Sequence, residues 1–111
     1  MADRTTNQSG GIGSELVREN ILFADIVSQF VAGLGERVRQ MEDAIQTADF
    51  AALQVAAHHL KGTGGGYGYP ILSYRAAQLE EYASEQALDQ CLDSIEELKG
   101  LCEQVVVDYT E

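Results

Sequence analysis

Tryptophan is absent from this chain, proline occurs once, and seven lysines and arginines stand against eighteen acids. The shortage of positive charge is the most restrictive of these. A net charge of −11 with scattered basic residues excludes a phosphate-backbone binder, which needs clustered Lys and Arg. It disfavours an anionic membrane surface for the same reason. No apolar run approaches the roughly 20 residues of a membrane span, and no charged-then-apolar start resembles a signal peptide, so the cytoplasm is the expected compartment. Two cysteines in 111 residues exclude a disulfide framework. On one helix, Cys91 and Cys102 would sit about 16 Å apart at 1.5 Å rise per residue, too far to bridge. They read as small buried apolar residues. A chain of this length makes one domain with a modest core.

What remains is helical patterning. Residues 1–13 hold turn formers and little to bury, and read as a mobile tail ahead of a folded unit over 14–111. Ser14 is placed to cap a short helical turn through Glu15 to Glu19. From Ile21 to Thr47, apolar residues recur by threes and fours at Leu22, Ile26, Phe30, Leu34, Val38, Met41, Ile45 and Ala48, which predicts one long helix. Gly33 and Gly35 interrupt it at about 1 kcal/mol each and mark a bend or a close helix contact. Asp49 is the expected cap of a second helix starting near Phe50. Pro70 suits the first turn of a third, whose buried stripe is Leu72, Ala76, Leu79 and Ala83. A tight connection at Ser84-Glu85 leads to the fourth helix, about Gln86 to Tyr109. That helix turns Leu88, Leu92, Ile95, Leu98, Cys102, Val105 and Tyr109 inward. Four amphipathic helices with short connections predict an all-α, antiparallel up-down four-helix bundle.

Chemistry concentrates in one stretch, Ala57 to Gly68. It holds both histidines, one of the two lysines and five of the eleven glycines. On a helix of about 100° per residue, Leu53, Ala56, Ala57 and Leu60 fall within roughly 50° of one apolar direction. His58 points roughly 150° away from it, with Lys61 on the same flank and Gly62 nearly opposite the core. The helix would bury its leucines and present an imidazole outward. Ala51 and Val55 share that outward face, where charge is the rule, and mark a partner surface around the histidine.

The pattern resembles the histidine-phosphotransfer family, from about Leu22 to the end of the chain. That family's core is a histidine, any residue, an aliphatic, Lys-Gly, and a further glycine ten positions after the histidine. Here these are His58, His59, Leu60, Lys61, Gly62 and Gly68. The family's Gln or Glu two turns into the next helix falls on Glu80, and its upstream Ala-x-x-x-x-Asp on Ala44 to Asp49. The resemblance implies that His58 is the phosphorylated nucleophile. Lys61 then neutralises phosphate charge, Gly62 leaves the ring accessible, and Glu80 accepts from Nδ1 so that Nε2 reacts. A neutral imidazole near its pKa of about 6.5 suits that role. Ala51, Val55, His59 and Gly65 are the expected partner-binding positions. Implied partners are receiver domains of response regulators and a sensor histidine kinase, of hybrid or chemotaxis type. The implied chain is a phosphocarrier that is not an enzyme and holds no cofactor, with magnesium on the receiver; the exposed active face and strong net charge make a monomer the expected state. By residue type Gly62 to Gly68 reads as a loop, whereas the resemblance implies a helix continuing to about Gly66.

Other readings exist. His58 could be an incidental surface histidine, but Lys61, Gly62 and Gly68 at the right spacing argue otherwise. A bundle metal site wants inward Glu and Glu-x-x-His pairs, and none is present. A phosphate-binding loop needs its Lys after the glycines, and Lys61 precedes them. Within the family, a free-standing carrier, a phosphoacceptor module of a chemotaxis-type kinase and a receiver-docking module remain open. Tyr67 before Gly68 favours the kinase module, whereas Met1, a mobile tail and an ending just after the last expected helix favour the free-standing carrier, the preferred reading.

Overall fold

A computed structural model describes residues 24–110, and among them the chain is entirely helical, without strands. The expected tail over 1–13, the turn through Glu15 to Glu19, and Leu22 lie outside the described residues. Five helices follow in order: α1 (Ala24–Ala32), α2 (Leu34–Gln46), α3 (Phe50–Gly66), α4 (Pro70–Ser84) and α5 (Leu88–Thr110). From α2 onward each packs against the next, α3 against α4 most extensively, and α5 closes back onto α2. Tyr109 near the end of α5 donates its hydroxyl to the Ala24 carbonyl at 2.7 Å, tying the start of α1 to the same end of the bundle.

The predicted first helix is two helices. Gly33 breaks it, although its amide still donates to Gln29 and Phe30 carbonyls at 3.2 and 3.1 Å. Gly35 marks neither a break nor a contact, since a Cβ there would meet nothing within 4 Å.

Two expected stripes slip by one position. Ile26 is half exposed, and Val27 and Val31 are buried beside the expected Phe30. On α5, Leu88 and Leu92 are half exposed, and Cys91 and Ser94 take the inward positions. In both segments adjacent residues allow two helical stripes, and residue type favoured the larger side chains. The core chose the smaller ones. Both cysteines are free and buried, and burial pushes the Cys102 thiol up to about 11. Elsewhere the stripes fall as read: Leu53, Ala57 and Leu60 on α3, and Leu72, Ala76, Leu79 and Ala83 on α4, are buried.

One device ends α2, α3 and α4. Each connection is three residues, 47–49, 67–69 and 85–87. In each, a backbone amide reaches back across the last turn: Asp49 to Ala44 at 2.8 Å, Tyr69 to Gly64 at 2.8 Å, Ala87 to Tyr82 at 3.0 Å. This cap places the intervening residue at positive φ, and Ala48, Gly68 and Gln86 stand there with φ of 55, 92 and 56°. Only Gly68 adopts it without a Cβ penalty. Ala48, expected at the end of the α2 stripe, is therefore an exposed turn residue. Asp49 caps α3 as expected, accepting from the Ala52 amide at 3.0 Å, and Pro70 opens α4.

Candidate functional site

The glycine run is helix, not loop. α3 continues through Gly62 to Gly66 because tertiary contact outweighs its poor propensity. Gly64 is the contact. A Cβ there would lie 3.0 Å from the Leu72 Cβ and 3.1 Å from the Ser73 amide nitrogen, so α3 and α4 touch where only hydrogen fits. Beside it Ser73 donates its hydroxyl to the Lys61 carbonyl at 2.6 Å. Phe30 of α1 stacks on Tyr67, with centroids 4.8 Å apart, and covers the α3–α4 turn.

That crossing fixes the register of α4 against α3. Two turns after Ser73, Glu80 arrives beside His58. Its Oε2 lies 3.0 Å from the imidazole Nδ1 and its Oε1 lies 2.9 Å from Lys61 Nζ. One carboxylate thus holds two side chains that α3 presents one turn apart. The Lys61 hydrogen bond, opposed by desolvation and joined by the His58 contact, holds the Glu80 carboxyl below its ordinary range. An ionised carboxylate only accepts hydrogen bonds. Nδ1 therefore carries the proton of the neutral ring, and Nε2 keeps its lone pair. The His58 side chain is 62% exposed while Glu80 is 21% exposed, so the orienting group is the sheltered one.

The other expected site residues are spread around this pair. Ala51 and Gly62 are exposed on the same face, and so is Val55, at 57%. A Cβ at Gly62 would meet nothing within 4 Å, so the fold itself does not require glycine there. Gly65 is exposed at the α3–α4 seam, where a Cβ would make ordinary contact with Ser73 at 3.6 Å. His59 is exposed and its ring makes no hydrogen bond among the described residues. Its carbonyl accepts from the Thr63 hydroxyl at 2.8 Å.

Sequence reasoning missed Ser73 and the packing role of Gly64. A serine three residues past Pro70 carries no signal of its own, and Gly64 looks like its neighbours in the run. The pairing of Lys61 with Glu80 was also unforeseen, because spacing gave Lys61 a place but no partner. Among the described residues no three His, Cys, Asp or Glu gather to hold a metal. No helix among them is long and apolar enough to cross a membrane.

An outward imidazole oriented through Nδ1, with an ammonium alongside on an all-helical bundle, defines a histidine-phosphotransfer type of site. The family model for the Hpt domain matches residues 25–107, and the chain belongs to that family, whose members carry phosphoryl groups in two-component signalling together with receiver domains and kinases. Neither a curated protein nor a solved structure matches it.

Proposed function

We propose that the protein is a phosphorelay carrier: His58 Nε2 takes a phosphoryl group from the aspartyl phosphate of a receiver domain and passes it to the aspartate of a response regulator. The observation that carries this reading is the Glu80 carboxylate on Nδ1, which leaves Nε2 unprotonated on an open face. Phosphoryl transfer is mostly positioning and charge stabilisation. Glu80 positions, Lys61 supplies positive charge within a turn of the ring, and Gly62 keeps the approach clear. Ala51, Val55, His59 and Gly65 frame the surface on which the receiver docks. The reading takes the bundle as antiparallel and up-down, which the three-residue connections after α2, α3 and α4 support, with the outer α3 face presented for docking. The chain brings no cofactor; magnesium belongs to the receiver. It works as a monomer in the cytoplasm, without nucleotide chemistry of its own.

The test is transfer from a labelled receiver with magnesium to wild type, His58→Gln and His59→Gln. An acid-labile, alkali-stable label lost only with His58→Gln is the expected result. A label that depends on His59 would refute the assignment. A label arriving only from an ATP-charged kinase, and from no receiver, would make the domain a kinase's phosphoacceptor instead.

A further inference from the structure

The chain's eighteen acids leave one long gap. Between Asp49 and Glu80, thirty residues hold no aspartate or glutamate, while Lys61 and Arg75 supply two cations. An even spread would place several acids there, and α5 alone carries six, at Asp89, Asp93, Glu96, Glu97, Glu103 and Asp108. The gap spans all of α3 and α4 as far as Leu79. In the fold it becomes one face, at the glycine end of the α3–α4 seam and beside His58.

That face has an uneven relief. Gly62, Gly65 and Gly66 are all exposed. A Cβ at Gly62 or Gly66 would meet nothing within 4 Å, and one at Gly65 would meet only Ser73. The three make a strip of bare backbone running from the ring towards the end of α3. Across the seam stands Tyr74, 60% exposed and the one exposed aromatic among the described residues. Its place follows from its neighbours. Ser73 faces Gly65 and donates to the Lys61 carbonyl, so the next residue along α4 turns about 100° outward from the seam. Glu80, which touches His58, lies about 9 Å further along the helix. The Arg75 guanidinium carbon sits 5.8 Å from the Tyr74 ring centroid, which steadies the ring without burying it.

Tyrosine is among the residue types that anchor interfaces, and the charge pattern says what kind of partner this one meets. An aspartyl phosphate brings about two negative charges to the contact, and like charges opposite it cost affinity. A face without acids admits it, whereas the α5 face repels it. Resting on the carrier reading of His58, we propose that the phosphorylated receiver extends from the ring towards the glycine end of the α3–α4 seam, with Tyr74 as its docking anchor. An apolar ridge of the receiver, next to its aspartyl phosphate, enters the bare strip of Gly62, Gly65 and Gly66 and packs its side against the Tyr74 ring. Tyr74 touches no reacting atom. It sets how tightly the receiver is held while His58 reacts.

The test follows transfer from a labelled receiver, with magnesium, over a range of receiver concentrations. Wild type is compared with Tyr74→Ala, Gly66→Asp and Gly66→Asn, with a thermal melt on each. Tyr74→Ala should raise the half-saturating receiver concentration about tenfold or more. Its rate at saturation should stay within about twofold of wild type, and its melt should not move. Gly66→Asn controls for bulk and helix propensity. The further rise with Gly66→Asp, about threefold or more, isolates charge and should shrink in salt. An unchanged half-saturating concentration in Tyr74→Ala would overturn the proposal. So would a loss confined to the rate at saturation or to the melt, the mark of a structural role, or equal values for the two Gly66 variants. Failure of every receiver to charge wild type would instead overturn the carrier reading, and that shows before any variant is compared.

Discussion

Adding one methyl group at Gly62 should stabilise the protein and disable it. Gly62 sits inside α3, one turn beyond His58, and an ideal Cβ there meets no heavy atom within 4 Å. Nothing in the fold resists an alanine. Relative to alanine, a mid-helix glycine costs about 0.5–1 kcal/mol through backbone entropy. For a domain of this size that corresponds to a rise of roughly 2–8 °C in Tm. The proposed docking sets the partner directly against this glycine. A methyl forced into a close-packed contact costs about 1–3 kcal/mol, so transfer from a labelled receiver should slow by about 5- to 150-fold. The assay pairs a thermal melt with single-turnover transfer on the same preparation. An alanine variant that melts higher and transfers at the wild-type rate would refute the claim that this glycine keeps the approach clear. One that melts lower would refute the reading of open space around it.

Gly64→Ala should do the opposite to stability. With Leu72 Cβ at 3.0 Å and backbone at 3.1 Å, the helices must part, and overpacking of about 1–3 kcal/mol should show as a lower denaturant midpoint. Ala48→Gly, at φ 55°, removes a left-handed penalty of about 1–2 kcal/mol against the added chain entropy of glycine; a raised denaturant midpoint is expected, and a lowered one would count against the strain. Burial, with Tyr109 and Asp108 adding to it, raises the Tyr69 phenol to about 12 from an ordinary 10.0. A raised acid stays protonated longest in the folded state, so its stabilisation is complete below about pH 10. It is lost as pH rises from there towards 12. Tyr69→Phe should flatten that alkaline loss in denaturant titrations, and an unchanged slope would refute the assignment.

Legibility followed physical cause. Helix existence, the Asp49 cap, the Pro70 start and the α3 and α4 stripes could all be read because each rests on local residue type and period. The stripes of α1 and the start of α5 could not be read, since Ile26 and Val27, or Cys91 and Leu92, offer the core equally good periodicities, and only packing against other helices decides. The glycine run misleads by propensity alone. Its helix exists because Gly64 lets α4 come close, which is a property of two segments and not of one. At the site, the position of His58 followed from helical geometry and Lys61 from spacing. The contact of Glu80 with His58 followed from the family resemblance; that the same carboxylate would also hold Lys61 needed the α3–α4 register, which Ser73 and Gly64 set without any mark in the sequence.

The hydroxyl of Tyr109 on the Ala24 carbonyl brings the two ends of the described helical unit within a side chain's length. A unit entered and left at one point can be spliced into a host chain as a cassette, with short joints on either side and no span to bridge. The same closeness makes the bundle a ready subject for circular permutation. The three-residue connections offer places to open it, and the 85–87 turn sits well along the chain from the glycines that set the α3–α4 register.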